Sequence, residues 1–207
     1  ASLGAKVLQI RSVQFAKKFN VNVHVRSSFN DNKGTLVTKE DSEMESILVS
    51  GITYAKDETK IAVMRVPDKP GIAARLLSPL SEANISVDMI VQNVSEDGYT
   101  DFTFTVSKAD FKKALLITRE AAEEINAKDV LTDESISKVS IVGLGMRSHA
   151  GVATKMFDTL AHEGINIQMI STSEIKISVV IDAKYTELAV RVLHNAFGLS
   201  NKDVQPE

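Results

Sequence analysis

The sequence contains no cysteine, which removes disulfides, thiolate metal sites and cysteine nucleophiles from consideration together. It also lacks any run of about 18 apolar residues and any signal-peptide pattern, which points to a soluble, cytoplasmic protein. Excess positive charge is missing too. The 24 Lys and Arg against 27 Asp and Glu leave a net charge of −3, so neither nucleic acid nor an anionic membrane is indicated as a partner. The histidines His24, His149, His162 and His194 are scattered, and none heads an HExxH spacing, so no metal site is expected. What is present is an ordinary globular composition, 43% hydrophobic over 207 residues, enough for one large domain or two small ones. The chain opens on Ala1 rather than Met, almost directly inside a helical pattern, which suggests a fragment or a processed chain.

Between residues 4 and 19, Val7, Leu8, Val13, Phe15, Ala16 and Phe19 fit one face of a helix. Residues 21–25 alternate as a short strand. The stretch 27–46 is polar and reads as a linker, with Asp31-Asn32-Lys33-Gly34 as a turn. Residues 47–55 are rich in β-branched side chains and read as a strand broken near Gly51.

The remaining chain repeats itself. One gapless shift places Ile61 on Ile141, Gly71 on Gly151, Ala73 on Ala153, Leu80 on Leu160, Ile85 on Ile165, Met89 on Met169 and Ile90 on Ile170. The first copy predicts strand 61–66, helix 71–83, strand 87–94, a turn at 95–98, strand 101–106, helix 109–125 and a short strand near Val130 and Leu131. The order is βαββαβ, so the fold class is α+β, two tandem ferredoxin-like modules with two helices over one face of each antiparallel sheet. The second copy predicts strand 139–144, helix 151–163, strands 167–170 and 176–181 and helix 186–197, followed by a polar tail. It lacks a fourth strand, and 47–55 is the segment available to fill that edge.

The stretch 66–92 draws attention. Pro67-Asp68-Lys69-Pro70-Gly71 is a turn leading into a helix at Gly71-Ile72-Ala73. Free N–H groups at a helix start attract carboxylates and phosphates, and Gly71 lets the backbone approach a ligand closely. Asp68 could accept from an ammonium or serve the turn. Asp88 and Gln92 lie on the following strand at a spacing that points both the same way, either toward a ligand or into solvent.

Three groups of strings resemble parts of a known family. Val66-Pro67-Asp68-Lys69-Pro70-Gly71, with Asn84-Ile85 and Gln92-Asn93, resembles the first ACT module of aspartate kinases. Gly145-Met146-Arg147-Ser148-His149-Ala150-Gly151-Val152 and residues 165–178, INIQMISTSEIKIS, resemble the second. Ala150 departs from the family, which has proline there, and this would loosen the second turn. Ala5-Lys6-Val7-Leu8, Val25-Arg26-Ser27-Ser28-Phe29 and Gly34-Thr35 resemble the end of the same family's kinase domain. The resemblance implies a kinase-domain remnant at 1–38, a linker and strand at 39–60, ACT modules at 61–134 and 135–199 and a tail at 200–207. It implies an allosteric region that binds threonine and/or lysine for feedback inhibition, pairs as a homodimer through its ACT modules and serves a catalytic domain using ATP and Mg2+. No cofactor is implied for this chain, which without that domain would be inactive. The implied effector residues are Asp68, Lys69, Pro70, Gly71, Ile72, Ala73, Ser86, Val87, Asp88 and Gln92 in the first copy. In the second they are Val152, Ala153, Asn166, Ile167, Ser171, Thr172 and Ser173.

Other classes fit less well. An ACT module serving a different enzyme shares these expectations. Val142-Gly143-Leu144-Gly145 follows a strand as a dinucleotide fingerprint would, but Ser148 stands at its third glycine. Phe102 and Phe104 alternate as stacking aromatics of an RNA-binding sheet would, but their neighbours Glu96, Asp97 and Asp101 are acidic, and core packing accounts better for at least one of them.

Overall fold

The computed structural model describes residues 7–38, 49–93, 97–143 and 151–199. Helix α1 (Ile10–Lys18) precedes strands β1 (Val23–Val25) and β2 (Thr35–Val37), which pair as an antiparallel hairpin. The polar stretch after residue 27 thus contributes β2 and is not linker throughout. The apolar face of α1 stays uncovered among the described residues, with Phe15 and Phe19 exposed and stacked on each other.

The first module comprises β4 (Glu58–Pro67), α2 (Ile72–Glu82), β5 (Val87–Gln92), β6 (Tyr99–Ser107), α3 (Phe111–Glu124) and β7 (Asp129–Asp133), in sheet order β5-β6-β4-β7. The second comprises β8 (Ile136–Val142), α4 (Val152–His162), β9 (Met169–Thr172), β10 (Lys176–Asp182) and α5 (Thr186–Ala196). Its sheet takes in β3 (Gly51–Ala55) in the order β3-β8-β10-β9. The vacant edge is filled from the front of the chain, with Ile52 opposite Ile141 and Tyr54 opposite Val139. The strand expected at 167–170 begins two residues later.

Both copies use the same punctuation. Gly71 and Gly151 take left-handed conformations, with φ of 88° and 99°, at the starts of α2 and α4. Asn84 and Gly164 take positive φ just past their ends, a conformation that satisfies the last carbonyls.

One face of each sheet is covered by its helices. In the first module Ile61, Val63, Phe102 and Phe104 meet Leu76, Leu80, Ala114 and Ala121. In the second Val139, Ile141, Ile177 and Val179 meet Met156, Leu160, Ala189 and Leu193. Phe102 and Phe104 are both buried, with ring centroids 6.2 Å apart, so neither can stack on a base. A bulge between Val63 and Val66, with Arg65 at a φ of 51°, keeps both valines on the core face. Arg65 in turn pairs with Asp97 at 2.9 Å, lies over the Tyr99 ring and donates its backbone N–H to Asp101.

Phe104→Ala should cost about 3–5 kcal/mol, read as a lower urea midpoint at unchanged slope.

Candidate functional site

The turn after β4 delivers the chain into α2. Asp68 donates its N–H to the Gly98 carbonyl at 2.9 Å, which ties the turn to the start of β6. Asp68, Lys69, Pro70 and Gly71 are exposed, Ile72 is buried in the core and Ala73 lies against it. Neither α2 nor α4 has a side-chain cap or an acidic residue in its first turn. Among the described residues no side chain caps either start, and although the Ile72 N–H already donates to the Lys69 carbonyl at 3.3 Å, the N–H groups that follow can take a carboxylate. A Cβ on Gly71 or Gly151 would meet nothing within 4 Å. The glycines are required by their backbone conformation and not by a tight fit, so crowding at Gly71 is not what a side chain there would cause.

The sheet register divides the expected site residues between two ends. Pro67 lies opposite Tyr99, and Gln92 lies opposite Phe102, so Gln92 stands toward the turn end of the sheet that bears Gly71. Val87 lies opposite Val106, which itself faces Thr59 at the start of β4. Ser86, Val87 and Asp88 are thus at the far end. The second copy behaves alike. Ser171, Thr172 and Ser173 lie toward the same end as Val152 and Ala153, since Thr172 faces Ile177 and Ile177 faces Ile141. Asn166 and Ile167 precede β9 at the other end. Ser173 is no free reader: its N–H donates to the Lys176 carbonyl, and its hydroxyl accepts from the Lys176 N–H at 3.1 Å, closing the β9–β10 hairpin. The expected motif at Gly145–Ala150, His149 included, lies outside the described residues, as does the end of the GxG string at Leu144 and Gly145.

Asp88 and Gln92 do not point the same way. A bulge between Val87 and Ile90 shifts the pleat. Gln92 falls on the helix side, opposite Phe102, while the Asp88 carboxylate reaches the Lys138 ammonium of β8 on the opposite face. Alternation in the sequence could not reveal an inserted residue. Lys138 also pairs with Glu58, and Met89, Ile136, Met169 and Val180 close together beside these groups. The two sheets therefore meet through the faces their helices leave bare.

Burial works against the Asp88 charge, but the hydrogen bond and charge of Lys138 and the charge of Lys176 outweigh it. The Lys138 ammonium, bonded to Asp88, and the nearby Lys176 charge hold this carboxyl below the ordinary carboxylate range. Burial also works against the Lys138 charge and is outweighed by Asp88 and Glu58, so its ammonium is held above its usual value. One Glu58 oxygen, Oε2, is buried with no hydrogen-bond partner. No group of three His, Asp or Glu able to hold a metal exists among the described residues.

The depressed Asp88 value contributes stability present above its unfolded pKa and lost as the pH falls through its folded one. The raised Lys138 value contributes stability lost only as the pH rises through the alkaline range. Asp88→Asn should therefore lower stability at pH 7 by up to about 1 kcal/mol, since the carboxylate is half exposed. The gap between urea curves of variant and parent should begin to close as the pH falls below about 4.

Comparison with known proteins fits this architecture. ACT-domain family models match residues 60–123 and 139–197. An aspartokinase of Pseudomonas aeruginosa is 58% identical over 201 residues, 96% of this chain and 49% of the relative, so the chain spans about half the length of that protein. A crystal structure of aspartokinase alpha and beta subunits shares 57% identity at a TM-score of 0.68, covering 72% of this chain and 99% of that one. The ligand-free regulatory subunit of aspartate kinase from Thermus thermophilus is 42% identical at a TM-score of 0.69, covering 72% and 98%. With paired ACT folds, uncapped glycine-led helix starts and near-complete coverage of a regulatory subunit, the chain belongs to the aspartokinase family as its tandem-ACT regulatory region.

Proposed function

We propose that this chain senses an end-product amino acid, threonine and/or lysine, and transmits its presence to a catalytic aspartate kinase domain. The observation that carries the reading is the pair of left-handed glycines starting uncapped helices at equivalent places in two ACT modules. Each offers N–H donors to an α-carboxylate, and Gln92 near the first offers an amide to discriminate side chains.

The split of the remaining residues between opposite ends of each sheet supports a site completed by a second chain. Asp68–Ala73 and Gln92 of one protomer would face Asn166 and Ile167 of its partner in a homodimer. Asp88, engaged by Lys138, is an intramolecular strut in this reading and not the ammonium acceptor, a role that falls to Asp68. In the parent protein the catalytic domain would use ATP and Mg2+ to phosphorylate L-aspartate to 4-phospho-L-aspartate in the cytoplasm. This chain alone would be inactive.

Metabolite-sized ligands bind with millimolar to micromolar constants, about −4 to −8 kcal/mol. Feedback needs a coupling of about 1–3 kcal/mol between sensor and kinase. The ligand must also favour one arrangement of the modules, because equal affinity for both shifts nothing.

Calorimetric titration with threonine, lysine and both together should give saturable heat for at least one. Absence of binding by either would refute the reading. Gly71→Asp should abolish that heat with the circular dichroism spectrum retained, because it sets a carboxylate at the anion site. The left-handed backbone adds about 1–3 kcal/mol of strain, read as a lower melting temperature. In the full-length kinase, Ser173→Trp should relieve inhibition by opening the β9–β10 hairpin. Undiminished inhibition would remove that hairpin from the site.

A further inference from the structure

The contact between the two sheets follows the internal duplication. Glu58 and Lys138 are 80 positions apart, the shift that superimposes the copies, so they are the same place in the two modules, and they pair with each other. A residue that touches its own repeat-equivalent lies on the pseudo-two-fold axis relating the copies. Met89 and Met169, related by the same shift, meet in the shared apolar cluster. Asp88 and Gln168 are likewise equivalent, and each takes a lysine ammonium from the opposite module, Asp88 from Lys138 and Gln168 from Lys60. The acceptors are equivalent but the donors are not, since Lys138 corresponds to Glu58 and Lys60 to Ser140, so the repeat is followed only in part. β5 is held across the axis by an ion pair, and β9 by a lysine–amide hydrogen bond.

β5 needs such a hold. At its bulge the regular ladder is interrupted, and the Met89 N–H goes to the Thr105 hydroxyl at 3.2 Å. Four residues beyond Asp88 the same edge strand presents Gln92 near the α2 start. We propose that Lys138 is a positioning residue for the effector strand of the first module. Reaching across the pseudo-two-fold axis, it fixes the β5 bulge through Asp88 with Glu58 as its second anchor, and so makes the placement of Gln92 depend on the second module. The inference rests on the amino-acid-sensing reading for its functional consequence, and it supplies the link by which one copy feels the other. The Lys138 side chain is 12% exposed and Glu58 11%, so a change at either is not absorbed by solvent.

The test uses the whole chain, comparing Lys138→Met, Asp88→Asn and the double variant. Hydrogen exchange should speed at least tenfold across Met89–Val91 in Lys138→Met while β7, the opposite edge of the same sheet, keeps its protection. Equal loosening of β5 and β7 would mean general destabilisation and overturn the proposal, as would unchanged protection of β5. Effector affinity, by calorimetry, should fall at least fivefold in each single variant, with less than twofold further loss in the double. Loss in Asp88→Asn with affinity retained in Lys138→Met would make Asp88 a direct ligand contact and also overturn it. Should Lys138→Met fail to fold, Asp88→Asn with Glu58→Gln gives the same exchange comparison. If the parent chain binds neither threonine nor lysine, the sensing reading falls, and the exchange experiment still decides the positioning role.

Discussion

The structure depends on how two sheets, each covered by helices on one face, dispose of the other face. A ferredoxin-like module on its own leaves half its sheet facing water. Here the bare faces meet, joined by Met89, Ile136, Met169 and Val180. Polar groups are drawn in with them. Glu58 and Lys138 are almost fully covered, and they can be so because they face each other. Burying either charge alone would be costly, and pairing offsets rather than abolishes that cost. A hydrophobic pair would pack as well, so stability alone does not explain charged residues on the axis. Charges of opposite sign do something apolar residues cannot. They make one module's face complementary to the other's and repulsive to itself, which orients the tandem pair and gives each module a sensitivity to the other.

Much of the fold is legible in the sequence because its signals are redundant. Helical spacing, the turn with its glycine and the repeat all agree, and agreement across levels is what makes a sequence specify one fold. The fourth strand of the second sheet could be placed by elimination, since the second copy is one strand short and residues 47–55 had no other partner. Pairing of β3 with β8 is that arrangement. β2 was hidden because a three-residue strand in a polar stretch carries almost no periodicity.

The site was less legible, and the reason is physical. Bulges in β4 and β5 insert a residue where the sequence still alternates, and a one-residue slip moves every later side chain to the other face. That is why Asp88 and Gln92, neighbours by spacing, are on opposite sides. Nor can a linear reading tell which end of a sheet a residue occupies. Asp68 and Ser86 flank one helix, and the helix carries them to opposite ends.

That separation bears on how such a chain could signal. A ligand that contacted both arrangements of the modules equally would move no equilibrium between them, however tightly it bound. A site that draws on residues from both ends of these sheets would bring surfaces of two modules together, so its occupancy would select how modules are placed. β5 runs between both conditions, with Asp88 anchored across the pseudo-two-fold axis and Gln92 near the helix start. A strand pinned at one end by the second module and at the other by ligand can carry a displacement from either to the other.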